Sequence, residues 1–204
     1  MFTKKIWSDK LFLSPVYREL TPDYYRWLND PEITMYLTNF YENLSFDREM
    51  KFIEKFIENN DSIFAIFDMH NEKHIGNCGI LDIDQTNRSG ELGIFIGDKS
   101  FHGKGYGTDA VGLLCDYGFS VLNLNHLYLW VFEYNTRAVN TYKKIGFKVS
   151  GRKRCAKEIS GKFYDVILMD ILKKEFSSSF YLELFKKRGL YAYRKETGDQ
   201  VKDK

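Results

Sequence analysis

The stretch from Gly90 to Leu122 constrains the fold most, because its periodicity changes twice in quick succession. It reads GELGIFIG, then DKSFHGKGYGTD, then AVGLLCDYGFSVL. The first piece predicts a strand: Ile94, Phe95 and Ile96 are β-branched or aromatic, and Gly90 and Gly97 bound the run. The last predicts a helix, since Tyr106, Ala110, Leu114, Tyr117, Gly118 and Val121 fall on one stripe at spacings of three and four. Between them Gly103, Gly105 and Gly107 occupy alternate positions. Without a Cβ, successive backbone N–H groups can turn toward one point. That point lies at the positive end of the helix, where a phosphate is stabilised. The loop is therefore either a pyrophosphate cradle or a flexible strand-to-helix turn, and glycines alone do not choose.

Two familiar phosphate loops fit badly. The nucleotide-triphosphatase pattern fails because the spacing from Gly97 is wrong and Gly105 stands where a hydroxyl is required. Gly105, Gly107 and Ala110 satisfy the dinucleotide fingerprint, but they follow a predicted hairpin in mid-chain instead of the first strand of a βαβ unit. A nicotinamide oxidoreductase thus stays open only on that match.

The 204 residues suffice for one domain with a substantial core. A net charge of +2, with no basic stripe interleaved with aromatics, gives no sign of a nucleic-acid partner. Cys78, Cys115 and Cys155 are odd in number and far apart, which predicts reduced thiols in a cytoplasmic setting and no disulfide frame. The four histidines lack ligand-like spacing, so no metal site is expected. No long apolar run argues for a membrane span. Aromatics make up 17%, an excess that suits core packing and hints at a homo-oligomer.

In chain order, Lys10 to Val16 predicts a strand. Thr21-Pro22 predicts a helix N-cap, with the helix stopping near Asn29-Asp30-Pro31. A short helix over Pro31 to Leu37 precedes an aromatic loop. A helix capped by Ser45 or Asp47 then presents Phe46, Met50, Ile53 and Ile57 on one face. Ser62 to Asp68 and His74 to Ile83 are strands, as is His126 to Phe132. Asn135 to Ile145 is a helix closed by Gly146. Arg152 to Glu158 and Phe163 to Leu172 form a hairpin around Ser160-Gly161, and Glu175 to Arg188 is a last helix before a polar, frayed tail.

The segment Asn135-Thr-Arg137-Ala138-Val139-Asn140-Thr-Tyr142-Lys-Lys-Ile145-Gly146-Phe147, with His102 to Thr108 before it, resembles the GNAT family of N-acetyltransferases. Within that family the chain is similar to the branch of ribosomal-protein and spermidine acetyltransferases, and DYGFSVLNLNHLYL with the later GF-x-V-x-G looks most like the spermidine members. The resemblance implies a single α/β (α+β) domain over residues 1–174. Its mixed, mostly antiparallel sheet has about seven strands, splayed at the centre and flanked by helices. Residues 175–204 form a C-terminal helix and tail, part of the same domain or an interface.

The resemblance also implies acetyl-CoA as co-substrate. Its pyrophosphate would meet the amides of Gly103, Lys104, Gly105, Tyr106, Gly107 and Thr108, with His102 departing from the family's usual Gln or Arg at the loop start. The pantetheine arm would run beside Phe95, Ile96 and Gly97 and meet Asn135 and Asn140. Tyr142 would be the general acid for the leaving thiolate; on its own pattern it is equally a core aromatic on an amphipathic helix. Glu91 is the candidate general base or a solvated strand-end carboxylate. A family position for the base is Trp130 here, a departure that weighs against a peptide substrate. Glu32, Glu42 and Asp82 are candidates to receive a cationic amine. The expected acceptor is a small amine such as spermidine, with a protein N-terminus or an amino sugar as alternatives. A catalytically silent acyl-CoA-binding module and an assembly protein are the non-enzyme alternatives.

Overall fold

The computed structural model describes residues 2–38, 43–59, 62–177 and 180–188. Eight strands form one sheet: β1 (Ile6–Trp7), β2 (Leu11–Pro15), β3 (Ile63–Asp68), β4 (His74–Asp84), β5 (Ser89–Ile96), β6 (His126–Phe132), β7 (Lys148–Ile159) and β8 (Lys162–Leu172). Their order is β1-β2-β3-β4-β5-β6-β8-β7. Every pairing is antiparallel except β5 with β6. The helices are α1 (Thr21–Leu28), α2 (Pro31–Thr34), α3 (Phe46–Asn59), α4 (Tyr106–Ser120), α5 (Thr136–Ile145) and α6 (Phe180–Lys187).

The sheet is covered on both sides. Along β3 every residue is buried. Phe64 and Ile66 join the larger core with α4 and α6, while Ile63, Ala65 and Phe67 join a second core with Tyr24 and Trp27 of α1 and Ile53 of α3. The two-residue alternation of a strand distributes them. On β5, Leu92, Ile94 and Ile96 belong to the α4 side and Phe95 to the α1–α3 side.

One irregularity sets up the site. The parallel ladder between β5 and β6 matches Ser89 with His126, Gly90 with Leu127 and Glu91 with Tyr128, and goes no further. Past Glu91 the strands part, because β6 follows β8 along its full length while β5 follows β4. The result is a V-shaped gap in mid-sheet.

Several expectations need correction. The eighth strand, Ile6–Trp7, is too short to leave a periodic signal. Thr21 is not the N-cap: a 3-10 turn over Arg18–Leu20 leads straight into α1, and the Thr21 hydroxyl donates to the Arg18 carbonyl at 2.7 Å. On α3, Ile53 and Glu49 are buried, whereas Phe46 and Ile57 are exposed; packing against α1 selects the side that runs through Glu49, Ile53 and the half-buried Phe56. β7 starts earlier than expected, at Lys148. The last helix begins at Phe180, after a separate 3-10 turn over Lys173–Glu175. The predicted tail and Glu42 lie outside the described residues.

Candidate active site

A continuous cleft of about 1550 Å³ runs through the gap. One wall is β5 from Glu91 to Ile96, the other β6 from Trp130 to Phe132; the glycine loop, α3 and α5 also border it.

The glycine loop is built from backbone. Gly103 (φ +72°) and Gly105 (φ +88°) occupy the left-handed region that glycine alone adopts freely. Gly105 is the N-cap of α4, and no side chain caps the helix. The first intrahelical bond runs from Asp109 N–H to the Gly105 carbonyl at 3.1 Å, which leaves the N–H groups of Tyr106, Gly107 and Thr108 without a helical acceptor. A Cβ added at Gly103 or Gly107 would meet no atom within 4 Å, so there is open space above the loop. These features fit an anionic diphosphate: several converging donors, the positive end of a helix, and room for the group.

The side chains of the loop do other work. His102 Nε2 lies 2.8 Å from the Ile96 carbonyl, tying the loop to the end of β5. The Tyr106 hydroxyl donates to Asp68 Oδ1 at 2.6 Å. Lys104 is exposed and outside the cleft lining. Sequence reasoning missed Lys10, whose ammonium donates to the Lys104 carbonyl at 3.5 Å and would lie 2.9 Å from a Cβ on Gly105. Nothing in the sequence pairs Lys10 with the loop, because strand pairing creates the proximity.

Phe95 and Ile96 line the cleft; Gly97 does not. The Gly97 N–H donates to the Ile75 carbonyl at 2.9 Å, and the Trp27 indole lies 2.0 Å from where its Cβ would be. Its glycine therefore serves packing of α1 on the sheet. Asn135 caps α5, its Oδ1 accepting from Ala138 N–H at 3.2 Å, and faces the cleft together with Asn140.

Tyr142 is 7% exposed and lines the cleft from α5. Its ring packs against Phe147, and the phenol makes no hydrogen bond among the described residues. Burial pushes its pKa up, so the hydroxyl keeps its proton at any physiological pH. Glu91 sits at the vertex of the gap, with its pKa raised by burial and by the nearby Asp82 carboxylate. Trp130 lines the opposite wall. Glu32 also reaches the cleft but is paired with Lys99 at 2.6 Å; Asp82 lies outside it. Glu49 and Asn77 also line the cleft and were not singled out from sequence. No local signal marked Glu49, because packing against α1 selects the buried side of α3.

The match to known proteins decides the family. The acetyltransferase (GNAT) domain model matches residues 10–148. The chain belongs to the GNAT acetyltransferase family. It is an acyltransferase with acetyl-CoA as co-substrate. It is 29% identical over 175 residues to an uncharacterized N-acetyltransferase p20 of Bacillus licheniformis, covering 84% of this chain and 98% of that one. It is 37% identical over 97 residues to the spermidine N(1)-acetyltransferase of Escherichia coli K12, covering 48% of this chain and 52% of that one. Its structure is similar to that of spermidine N-acetyltransferase from Vibrio cholerae in complex with CoA and spermine. There the TM-score is 0.74 and the identity 29%, over 82% of this chain and 98% of that chain. The nicotinamide reading and the non-enzyme readings fall with this assignment. Among the described residues no helix is long and apolar enough to cross a membrane, and no cluster could hold a metal.

Proposed function

We propose that the chain acetylates a terminal primary amine of a polyamine of the spermidine type by direct attack on the thioester of acetyl-CoA. The observation that carries this is the parted β5–β6 pair: one gap joins an anion-binding loop to an acidic vertex. The spermidine acetyltransferases among its relatives support the choice of acceptor.

Acetyl-CoA supplies an activated acyl group when bound. The amides of residues 103–108 bind its diphosphate, helped by the Lys10 ammonium and the α4 N-terminus. Main-chain groups of Phe95 and Ile96, with the Asn135 amide, orient the arm, and Asn140 borders it. Glu91 takes a proton from the incoming ammonium, through water, so that a free amine attacks. Its pKa, raised by burial and by Asp82, makes it a stronger base than an exposed glutamate. Tyr142 holds a proton at Oη and delivers it to the departing sulfur, and the proton that the attacking nitrogen sheds as the amide forms restores the phenol through water. Phenol and thiol pKa values start near 10 and 8.5. Orientation alone supplies about 7–11 kcal/mol of such a barrier.

A cytoplasmic location and self-association belong to the same reading. So does the inclusion of the described residues 175–177 and 180–188 in the domain. Tyr181 N–H donates to Asp116 Oδ2 of α4 at 3.0 Å, and the Phe119 and Phe176 rings are 5.5 Å apart. Thiol release from acetyl-CoA across a panel of spermidine, an N-terminal peptide and an aminoglycoside tests the function. Turnover led by spermidine is expected; turnover led by the peptide would replace the acceptor.

A further inference from the structure

We infer that the cleft continues under α3 as a trough for a linear oligoamine, in which Glu49 holds an ammonium distal to the one that reacts at Glu91. This rests on the function proposed above and adds to it the residue that measures the length of the acceptor.

The trough follows from strand register. Asn77 pairs with Phe95, Gly79 with Gly93, and Leu81 with Glu91. Residues two apart share a face, and all six border the cleft. Phe95 packs on Tyr24 and Trp27, which fixes the face as the α1–α3 side. The middle pair is glycine on both strands. A methyl on Gly93 would meet only Leu81 Cδ1, at 3.8 Å, so the space above that strand is open. An extended chain can lie on such a floor.

Each end carries a carboxylate. Glu91 lies at the vertex. Glu49 lines the cleft from α3, which packs on α1, and Tyr24 of α1 accepts from Asn77 Nδ2 at 2.9 Å at the Phe95 end. From Phe95 to Glu91 is four residues, or about 13 Å of strand. An extended triamine covers that span, and a short monoamine does not.

Glu49 itself lacks what a structural glutamate needs. It is 2% exposed, yet among the described residues it makes no side-chain hydrogen bond or salt bridge. Among the described residues only Ser14 Oγ is an enclosed side-chain polar atom without a partner, so the Glu49 carboxylate keeps access to the cleft it lines; burial of the residue raises its pKa, opposed by the neighbouring Arg48. Arg48, Lys51 and Lys55 also border the cleft, but all three are exposed, where solvent and salt screen them. A cationic group entering the trough supplies the partner Glu49 lacks, and apolar walls at Leu44 and Ile63 suit the methylenes between charges.

The test compares spermidine with butylamine as acceptors for the folded wild type, Glu49→Gln and Glu49→Asp. Spermidine binding is also measured by calorimetry without acetyl-CoA. Glu49→Gln is expected to weaken spermidine binding at least tenfold. It should lower the spermidine-to-butylamine ratio of kcat/KM by a similar factor, through KM, and Glu49→Asp should recover part of both. A ratio and affinity within twofold of wild type would overturn the inference. If Glu49→Gln does not fold, Gly93→Val, which fills the floor, should depress the same ratio; an unchanged ratio overturns the inference as well. A wild type that acetylates peptides and no oligoamine refutes the proposed function itself, whereas normal spermidine turnover with an unaffected Glu49→Gln refutes only the trough.

Discussion

The two ends of the cleft are made differently. The donor end is a backbone structure: left-handed Gly103 and Gly105, uncapped N–H groups at the start of α4, and Asn135 capping α5. The acceptor end is a side-chain structure, in which Glu49, Asn77 and Glu91 come from three different elements and border one cleft along a glycine floor. A backbone site needs particular residue types at fixed local spacing. A side-chain site needs only that the fold carry the residues to one place. The first kind leaves a motif in the sequence and the second does not.

The sharpest way to break the comparison is at the point where the halves meet. Tyr142→Phe removes the proton donor without changing the loop, and kcat is expected to fall about 10²–10³-fold, in the range of general acid catalysis. Acetyl-CoA affinity, measured by calorimetry, should stay within about twofold. Next in size, Glu91→Gln should lower kcat/KM about 100-fold at neutral pH. The pH profile checks its role. A base works deprotonated, so the wild-type rate climbs as pH rises through the raised pKa of Glu91, and the variant should lose that acidic limb.

Gly105→Ala probes the donor end. An alanine in the left-handed region costs about 1–2 kcal/mol, so acetyl-CoA should bind about tenfold more weakly, seen in Kd, with little change in the KM for amine. Smallest is a stability effect at the junction. Burial opposes ionisation of Asp98, but hydrogen bonds from Lys73 and from Ser100 outweigh it and hold the carboxyl at about 2. A depressed carboxyl contributes stability that is present above its unfolded pKa and lost as pH falls through the folded one. Asp98→Asn should therefore lower Tm by about 2–4 °C at pH 7, a difference that closes between about pH 4 and pH 2 in thermal melts.

Legibility in the sequence follows the same division. β6 and the turn at Ser160-Gly161 fall where the pattern puts them, since both turn residues take positive φ. The helix of Asn135 to Gly146 is bounded by its own capping chemistry. Gly97 was legible as a glycine but not for its reason: Trp27, seventy residues earlier, occupies the space of its Cβ. α3 was legible as a helix, yet its face was misjudged, because Phe46 and Ile57 fit the stripe as well as Glu49 does and only α1 decides between them. Lys10 and Glu49 carry no local mark, since a lysine beside a strand and a glutamate on a helix are ordinary surface residues until the sheet and its helices assemble.

The most direct measurement is mass spectrometry of spermidine after incubation with the protein and acetyl-CoA. Monoacetylation at a terminal primary amine, with one free CoA released per acetyl transferred, is the predicted result. Unmodified spermidine under conditions where a peptide N-terminus becomes acetylated would contradict it.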